Sequence, residues 1–181
     1  MATIYGAEIG IGTGDLAALD AQGEIVWQRN LESDFGPIVI LWTYGSSPLL
    51  YRGKLYIPVL RNPFAGRGGP MPGAPSEPYE SYLLCVDPAT GKDLWKQTRP
   101  TDAVRESPEA YTTPIPFERP GGAEILVSGG DYITAHDPET GEERWRFHYN
   151  PNKHPAYRQV VSPLAFGDIV VRPATPYNGL R

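Results

Sequence analysis

Three segments decide the fold: Leu16-Ala17-Ala18-Leu19-Asp20-Ala21-Gln22-Gly23-Glu24-Ile25-Val26-Trp27, Leu83-Leu84-Cys85-Val86-Asp87-Pro88-Ala89-Thr90-Gly91-Lys92-Asp93-Leu94-Trp95, and Ile133-Thr134-Ala135-His136-Asp137-Pro138-Glu139-Thr140-Gly141-Glu142-Glu143-Arg144-Trp145. Each runs from an apolar strand through an Asp and a Gly-containing turn into a second strand that reaches a Trp. The chemistry of the turn is local. An Asp carboxylate accepts backbone N–H groups two residues on, Pro presets the next turn position, and Gly takes the positive φ that closes the hairpin. The strands alternate, as in Arg144-Trp145-Arg146-Phe147-His148-Tyr149, which puts aromatic and polar groups on opposite faces.

A second element recurs in phase with the first: Ser47-Pro48-Leu49-Leu50, Thr113-Pro114-Ile115-Pro116 and Ser162-Pro163-Leu164-Ala165. Each is followed by a Gly-containing turn and an apolar strand, at 54–60, 124–128 and 168–172. Asp87 and Asp137 lie 50 positions apart, as do Trp95 and Trp145, and Pro114 and Pro163 lie 49 apart. These intervals fall at the repeat length of radial sheet architectures, roughly 40–50 residues per unit. Trp27 and Trp95 are 68 apart, and the Pro- and Gly-rich stretch 62–81 accounts for the excess as an inserted loop.

Composition narrows the function. With 181 residues, 40% hydrophobic, 20% charged and a net charge of −5, the chain has the make-up of one ordinary globular domain. Twenty Gly and twenty Pro suit many short strands and tight turns rather than long helices. Nucleic-acid affinity rests on clustered cations, and the one basic stretch, 61–67, holds two Arg among Gly and Pro; no nucleic-acid partner is expected. No run approaches the ~18 apolar residues of a membrane span. Cys85 is the sole cysteine, which excludes an internal disulfide, a paired-cysteine zinc site and covalent haem attachment; in its apolar strand it reads as a core residue. The beginning, Met1-Ala2-Thr3-Ile4-Tyr5, reads as the inside of a strand and carries no basic-then-apolar export signal.

The pattern small residue–x–Asp–x–x–Thr–Gly–x–x–x–Trp resembles the tryptophan-docking repeat of the quinoprotein-like (PQQ-like repeat) β-propellers. The segments 85–95 and 135–145 match it, apart from Cys85 at the small position, and 18–27 matches with a shortened turn that lacks the Thr. The resemblance implies an all-β fold, a β-propeller of four-stranded antiparallel blades. It also implies that one tryptophan per blade (Trp27, Trp95, Trp145), with its turn (Asp20 and Gly23, Asp87 and Gly91, Asp137 and Gly141), joins neighbouring blades. Laid on this chain it gives a partial blade at 2–31, a blade at 44–99 with the loop 62–80 inserted, a blade at 110–149 and a half blade at 157–174. Family rings close with seven or eight blades, so the ring here is incomplete. Further blades of a longer chain, or copies of this one and protein partners, are expected to complete it.

Quinoprotein dehydrogenases of this fold hold their quinone between a Trp and a disulfide of adjacent cysteines, with calcium and an Asp base. The sequence supplies no such set. It nominates no catalytic, cofactor-binding or metal-ligating residue, and no cofactor is expected. Asp20, Asp87 and Asp137 belong to the turns, and His136, His148 and His154 show no metal or nucleophile spacing. The more suggestive residues flank the innermost strands. Trp42, Tyr44, Tyr111, Tyr157 and Arg158 stand at strand entries, with Arg61, Asn62 and Tyr177 at the connections from second to third strand that gather on the same face, and together they form a candidate funnel for a ligand or peptide. The expected function is a non-catalytic propeller scaffold for binding or assembly. The alternative is a fragment of a quinoprotein dehydrogenase whose catalytic residues lie elsewhere. Family habit implies a periplasmic or extracellular location.

Overall fold

In each of the three turns the Asp carboxylate gathers the backbone ahead of it. Asp20 Oδ1 accepts the N–H groups of Gln22 and Glu24, both at 2.9 Å. Asp87 Oδ1 accepts from Ala89 at 2.8 Å and Thr90 at 3.0 Å, and Asp137 Oδ1 from Glu139 at 2.7 Å and Thr140 at 3.0 Å. Gly91 and Gly141 then close the loops with φ of 71° and 78°. That left-handed conformation costs residues with a β-carbon energy. The computed structural model describes residues 14–41, 44–62 and 80–172.

The hairpins so formed are β1 (Asp15–Leu19) with β2 (Ile25–Asn30), β5 (Tyr82–Val86) with β6 (Asp93–Thr98), and β9 (Tyr132–His136) with β10 (Glu143–His148). The Ser/Thr-Pro elements form a second set: β3 (Leu49–Tyr51) with β4 (Lys54–Val59), β7 (Ile115–Arg119) with β8 (Gly122–Gly129), and β11 (Leu164–Phe166) with β12 (Ile169–Val171). Among the described residues these strands pair with one another in antiparallel fashion throughout. They give two four-stranded sheets, β3-β4-β5-β6 and β7-β8-β9-β10, flanked by two-stranded sheets β1-β2 and β11-β12.

The middle strands of the four-stranded sheets are buried on both faces, which explains apolar runs such as 82–86 and 125–127. Side chains alternate between neighbours. From β4 and β5, Leu55, Ile57, Leu84 and Val86 meet Leu16 and Leu31 on one side. Tyr56, Leu83 and Cys85 meet Ile125 and Val127 on the other. A third cluster joins Phe117, Leu126 and Ala135 to Ala165 and Val170 of the last hairpin. Each fully buried aliphatic side chain contributes about 1.5–3 kcal/mol relative to exposure, so the interfaces between sheets constitute the core.

A short helix, α1 (Leu31–Phe35), follows β2 where the sequence suggested only connection. Asn30 caps it by accepting the N–H of Ser33 at 2.8 Å, Glu32 and Asp34 place negative charge in its first turn, and Gly36 ends it at φ 81°.

Candidate functional site

Trp27, on β2, donates its indole N–H to the carbonyl of Pro88 at 2.9 Å, and its ring covers Gly91 so closely that a β-carbon there would stand 2.6 Å from Cε3. Trp95 repeats the arrangement one sheet on, donating to Pro138 O at 3.2 Å and covering Gly141 with 2.5 Å available. Arg29 adds a bond to Gly91 O at 2.8 Å and pairs with Asp93, and Lys54 pairs with Glu139. Trp145 differs: its N–H goes to Glu124 Oε2 of its own sheet at 2.9 Å.

The connections between sheets build a polar wall whose centre is Glu109. This carboxylate is fully buried. It accepts the backbone N–H of Leu41 at 2.6 Å, Arg158 Nη1 at 3.0 Å and the Tyr111 hydroxyl at 3.2 Å. Three successive inter-sheet connectors therefore meet on one side chain. Burial works against the charge of Arg158, but the bonds and field of Glu109, with Tyr111 and Glu106, hold its pKa above the ordinary guanidinium value. Beside it, Ala110 and Gln159 form a parallel bridge, and Tyr111 leaves only 3.0 Å for a β-carbon at Gly45. Tyr157 lies near Tyr149 and His154, and the guanidinium of Arg172 stands 3.9 Å from the Tyr149 ring centre and 5.3 Å from that of Tyr157.

Of the funnel residues, the structure brings Tyr111 and Arg158 together at Glu109 and sets Tyr157 on the Tyr149–Arg172 cluster. Tyr44 turns inward instead and donates its hydroxyl to Pro58 O at 2.6 Å; desolvation raises its pKa. Arg61 and Asn62 are buried too, bonded to the carbonyls of Phe35, Gly36 and Glu80 and of Arg105, respectively. Trp42 and Tyr177 lie outside the described residues.

The histidine and cysteine chemistry is internal. His136 Nδ1 donates to Gly141 O at 3.0 Å and Nε2 accepts from Thr134 Oγ1 at 2.9 Å. Burial pushes its pKa down to about 4, with Gly141 opposing and Arg99 adding to the drop. The same Thr134 oxygen accepts Arg99 Nε at 2.8 Å. Arg99 crosses from the end of β6 into the next sheet, fully buried on neutral acceptors, and desolvation lowers its pKa to about 10. Cys85 is buried and its thiol is pushed up to about 12, again by desolvation. Among the described residues, no three His, Cys, Asp or Glu side chains gather as a metal-binding group, and no helix is long and apolar enough to cross a membrane.

Nothing in residue type or spacing marks Glu109, Arg99 or Arg172 in the sequence. The only signal for Glu109 is its place just before Tyr111-Thr112-Thr113-Pro114, at the entry to an inner strand.

Comparison with known proteins adds the family. Residues 12–177 match the PQQ_2 family, whose description is "Outer membrane protein assembly factor BamB". The quinohemoprotein alcohol dehydrogenase ADH-IIG of Pseudomonas putida is 28% identical over 142 residues, 74% of this chain and 17% of that protein. The quinohemoprotein alcohol dehydrogenase of Comamonas testosteroni is 34% identical over 74 residues, 38% of this chain and 10% of that protein. The crystal structure of the Comamonas testosteroni enzyme superposes with a TM-score of 0.50 at 17% identity, over 75% of this chain and 24% of that one. BamB from Moraxella catarrhalis aligns at 19% identity with a TM-score of 0.44, over 75% of this chain and 31% of that one. The chain thus spans between a tenth and a sixth of the length of these two dehydrogenase sequences. The four-stranded antiparallel sheets, the repeated Asp turns and a family match over nearly the whole sequence lead to one conclusion: this chain belongs to the PQQ_2 family of PQQ-like β-propeller repeats.

Proposed function

We propose that the chain is a non-catalytic PQQ-like propeller segment that binds or assembles with protein, in the periplasm or outside the cell. The observation that carries this reading is a contrast between equivalent positions. Tyr56 and Leu126, each opposite the first residue of an inner strand, are 0% exposed, whereas Val171 in the same register position is 52% exposed. With Leu164, Phe166 and Ile169 it forms an apolar surface on the last hairpin, of the kind that marks an interaction site on a soluble protein. The family description, an outer membrane protein assembly factor, supports both the assembly role and the compartment. The wall around Glu109, Tyr111 and Arg158 is the second face we assign to binding.

A second reading has its own support. The curated relatives are quinohemoprotein alcohol dehydrogenases, and the chain fits a segment of such an enzyme whose reactive groups lie in other blades. The residues present do not fit the quinone. Cys85, the sole cysteine, has no adjacent partner and is sealed in the core.

Titrating the protein expressed from its complete reading frame with pyrroloquinoline quinone and calcium, followed by tryptophan fluorescence and dye-linked alcohol oxidation, separates the two. The scaffold reading expects neither saturable quenching nor dye reduction. Saturable binding with turnover would overturn it.

A further inference from the structure

We propose that Arg99, Thr134 and His136 form a recognition key, a buried polar plug and seat that fix which sheet docks on which. This concerns how the chain's own sheets recognise one another and goes beyond the question of ligand or activity. Leu31, Arg99 and Tyr149 hold one position in the repeat. Each lies four residues after its tryptophan. Each also donates its backbone N–H to the residue just before β1, β5 or β9: Gly14 O at 2.8 Å, Ser81 O at 2.7 Å and Asp131 O at 3.0 Å. The backbone repeats, but the side chains do not. Leu31 is 0% exposed and shares a core cluster with Leu55, Ile57, Leu84 and Val86 of the following sheet. Arg99 is 1% exposed and reaches the matching place on β8 and β9. There Ile57 opposite Leu84 becomes Val127 opposite Thr134, and Leu55 opposite Val86 becomes Ile125 opposite His136. The seat is apolar where the plug is apolar, and polar where the plug is charged.

The polar pair is matched atom by atom. Arg99 Nε donates to Thr134 Oγ1 at 2.8 Å, and Nη2 donates to Tyr132 O at 2.8 Å and Val127 O at 3.3 Å. Thr134 gives its own proton to His136 Nε2 at 2.9 Å, while His136 Nδ1 is committed to Gly141 O at 3.0 Å. The histidine thus turns the threonine oxygen into an acceptor facing Arg99. A buried guanidinium is tolerated only where such acceptors stand ready.

The remaining contacts do not tell these two sheets apart. Trp27 on Gly91 and Trp95 on Gly141 are alike, each indole donating to the Pro carbonyl of the turn. At the rim Arg29 pairs with Asp93. Glu143 stands opposite His136 as Asp93 stands opposite Val86, so the next sheet offers Arg29 the same charge. Like repeats joined by like contacts invite docking out of order and swapping between chains. The buried position opposes both errors. Arg99 over Leu84 and Val86 would trade the Thr134 hydroxyl for hydrocarbon. Leu31 over Thr134 and His136 would leave the hydroxyl and the Tyr132 carbonyl dry and unbonded. Misfit then enforces order as much as fit does.

The test makes the second junction a copy of the first. Arg99→Leu/Thr134→Leu/His136→Val is compared with Arg99→Leu alone, each in the protein expressed from its complete reading frame. Arg99→Leu alone should raise the unfolding constant about tenfold or more, because it strands the polar seat. The triple variant should recover the urea midpoint, since a matched apolar plug and seat replace the buried charge. Its refolding should suffer instead. After dilution from urea at rising protein concentration, gel filtration and native mass spectrometry should find a larger share of swapped dimers than the unmodified protein gives. A triple variant that refolds as cleanly as the unmodified protein, or an Arg99→Leu protein of undiminished stability, would overturn the proposal. Should the triple variant not fold, a double-mutant cycle of Arg99→Met with Thr134→Val decides. Coupling of about fivefold or more in the unfolding constant supports the key, and additive losses overturn it.

Discussion

Trp95 and Gly141, on neighbouring sheets, are so closely apposed that only a hydrogen fits between the Gly141 α-carbon and the indole. The contact makes the glycine necessary twice over, once for its φ of 78° and once for the space. Gly141→Ala is therefore expected to cost several kilocalories per mole, roughly 2–4 from strain and overpacking combined. Gly53 has a similar φ of 73° but nothing within 4 Å, so Gly53→Ala should cost only the conformational part, about 1 kcal/mol. Urea unfolding of the two variants measures the difference. Equal losses would mean that the indole does not enforce the glycine.

Glu109 offers a sharper perturbation. Removing it leaves the half-buried Arg158 with only the longer 3.6 Å pairing to Glu106 and the Leu41 N–H without its acceptor. Glu109→Ala should lose about 3–5 kcal/mol, the usual cost of breaking a buried pair from one side. Glu109→Gln, which keeps an acceptor for Leu41, should lose less. A double-mutant cycle with Arg158→Ala isolates the pair, and a coupling near zero would show that the wall is held by other contacts.

Acid should weaken the fold through His136. Its pKa is depressed in the folded state to about 4, against an ordinary value near 6.5. The unfolded chain thus binds the proton first as pH falls. The stability contributed by the neutral, buried imidazole is complete above about pH 6.5 and declines until about pH 4, by on the order of 2–3 kcal/mol. Thermal melts across this window should show the slope, and His136→Gln should flatten it. An unchanged slope would assign the acid sensitivity to carboxylates instead.

Cys85 should report on global opening. Buried between Tyr56 and the neighbouring sheet and with its pKa pushed up to about 12 by desolvation, it has almost no thiolate at neutral pH. A chromogenic disulfide reagent should label it at the rate of unfolding, and addition of urea should accelerate labelling in step with loss of the far-ultraviolet signal. Rapid labelling of the native chain would place the thiol near solvent.

What could be read from the sequence followed from local chemistry. The Asp20, Asp87 and Asp137 turns announce themselves because a carboxylate two residues before a backbone N–H has one favoured use. The tryptophans are legible because their spacing repeats. The side chains of the connecting wall were harder. Tyr44 and Tyr111 both precede a small residue and a Pro-bearing inner strand, and nothing in residue type tells that one sinks onto Pro58 O while the other covers Gly45. Arg99 and Glu109 are charged residues in polar-looking connections, where a solvent-facing position is the ordinary expectation. Their burial follows from long-range partners, Thr134 for one and Leu41 with Arg158 for the other, and sequence separation of that size carries no local mark.

The handover of each tryptophan to the following turn bears on how such a protein can grow. A duplication of the 50-residue unit that follows Trp95 and ends at Trp145 would add one indole and one receiving glycine together, so every old junction would be preserved and the new one would be a copy of them. Lengthening by whole units asks for no novel surface to evolve, whereas a gain or loss out of phase leaves an orphan at the joint. Ring size can therefore drift in steps over a lineage while the joints themselves stay under strict selection.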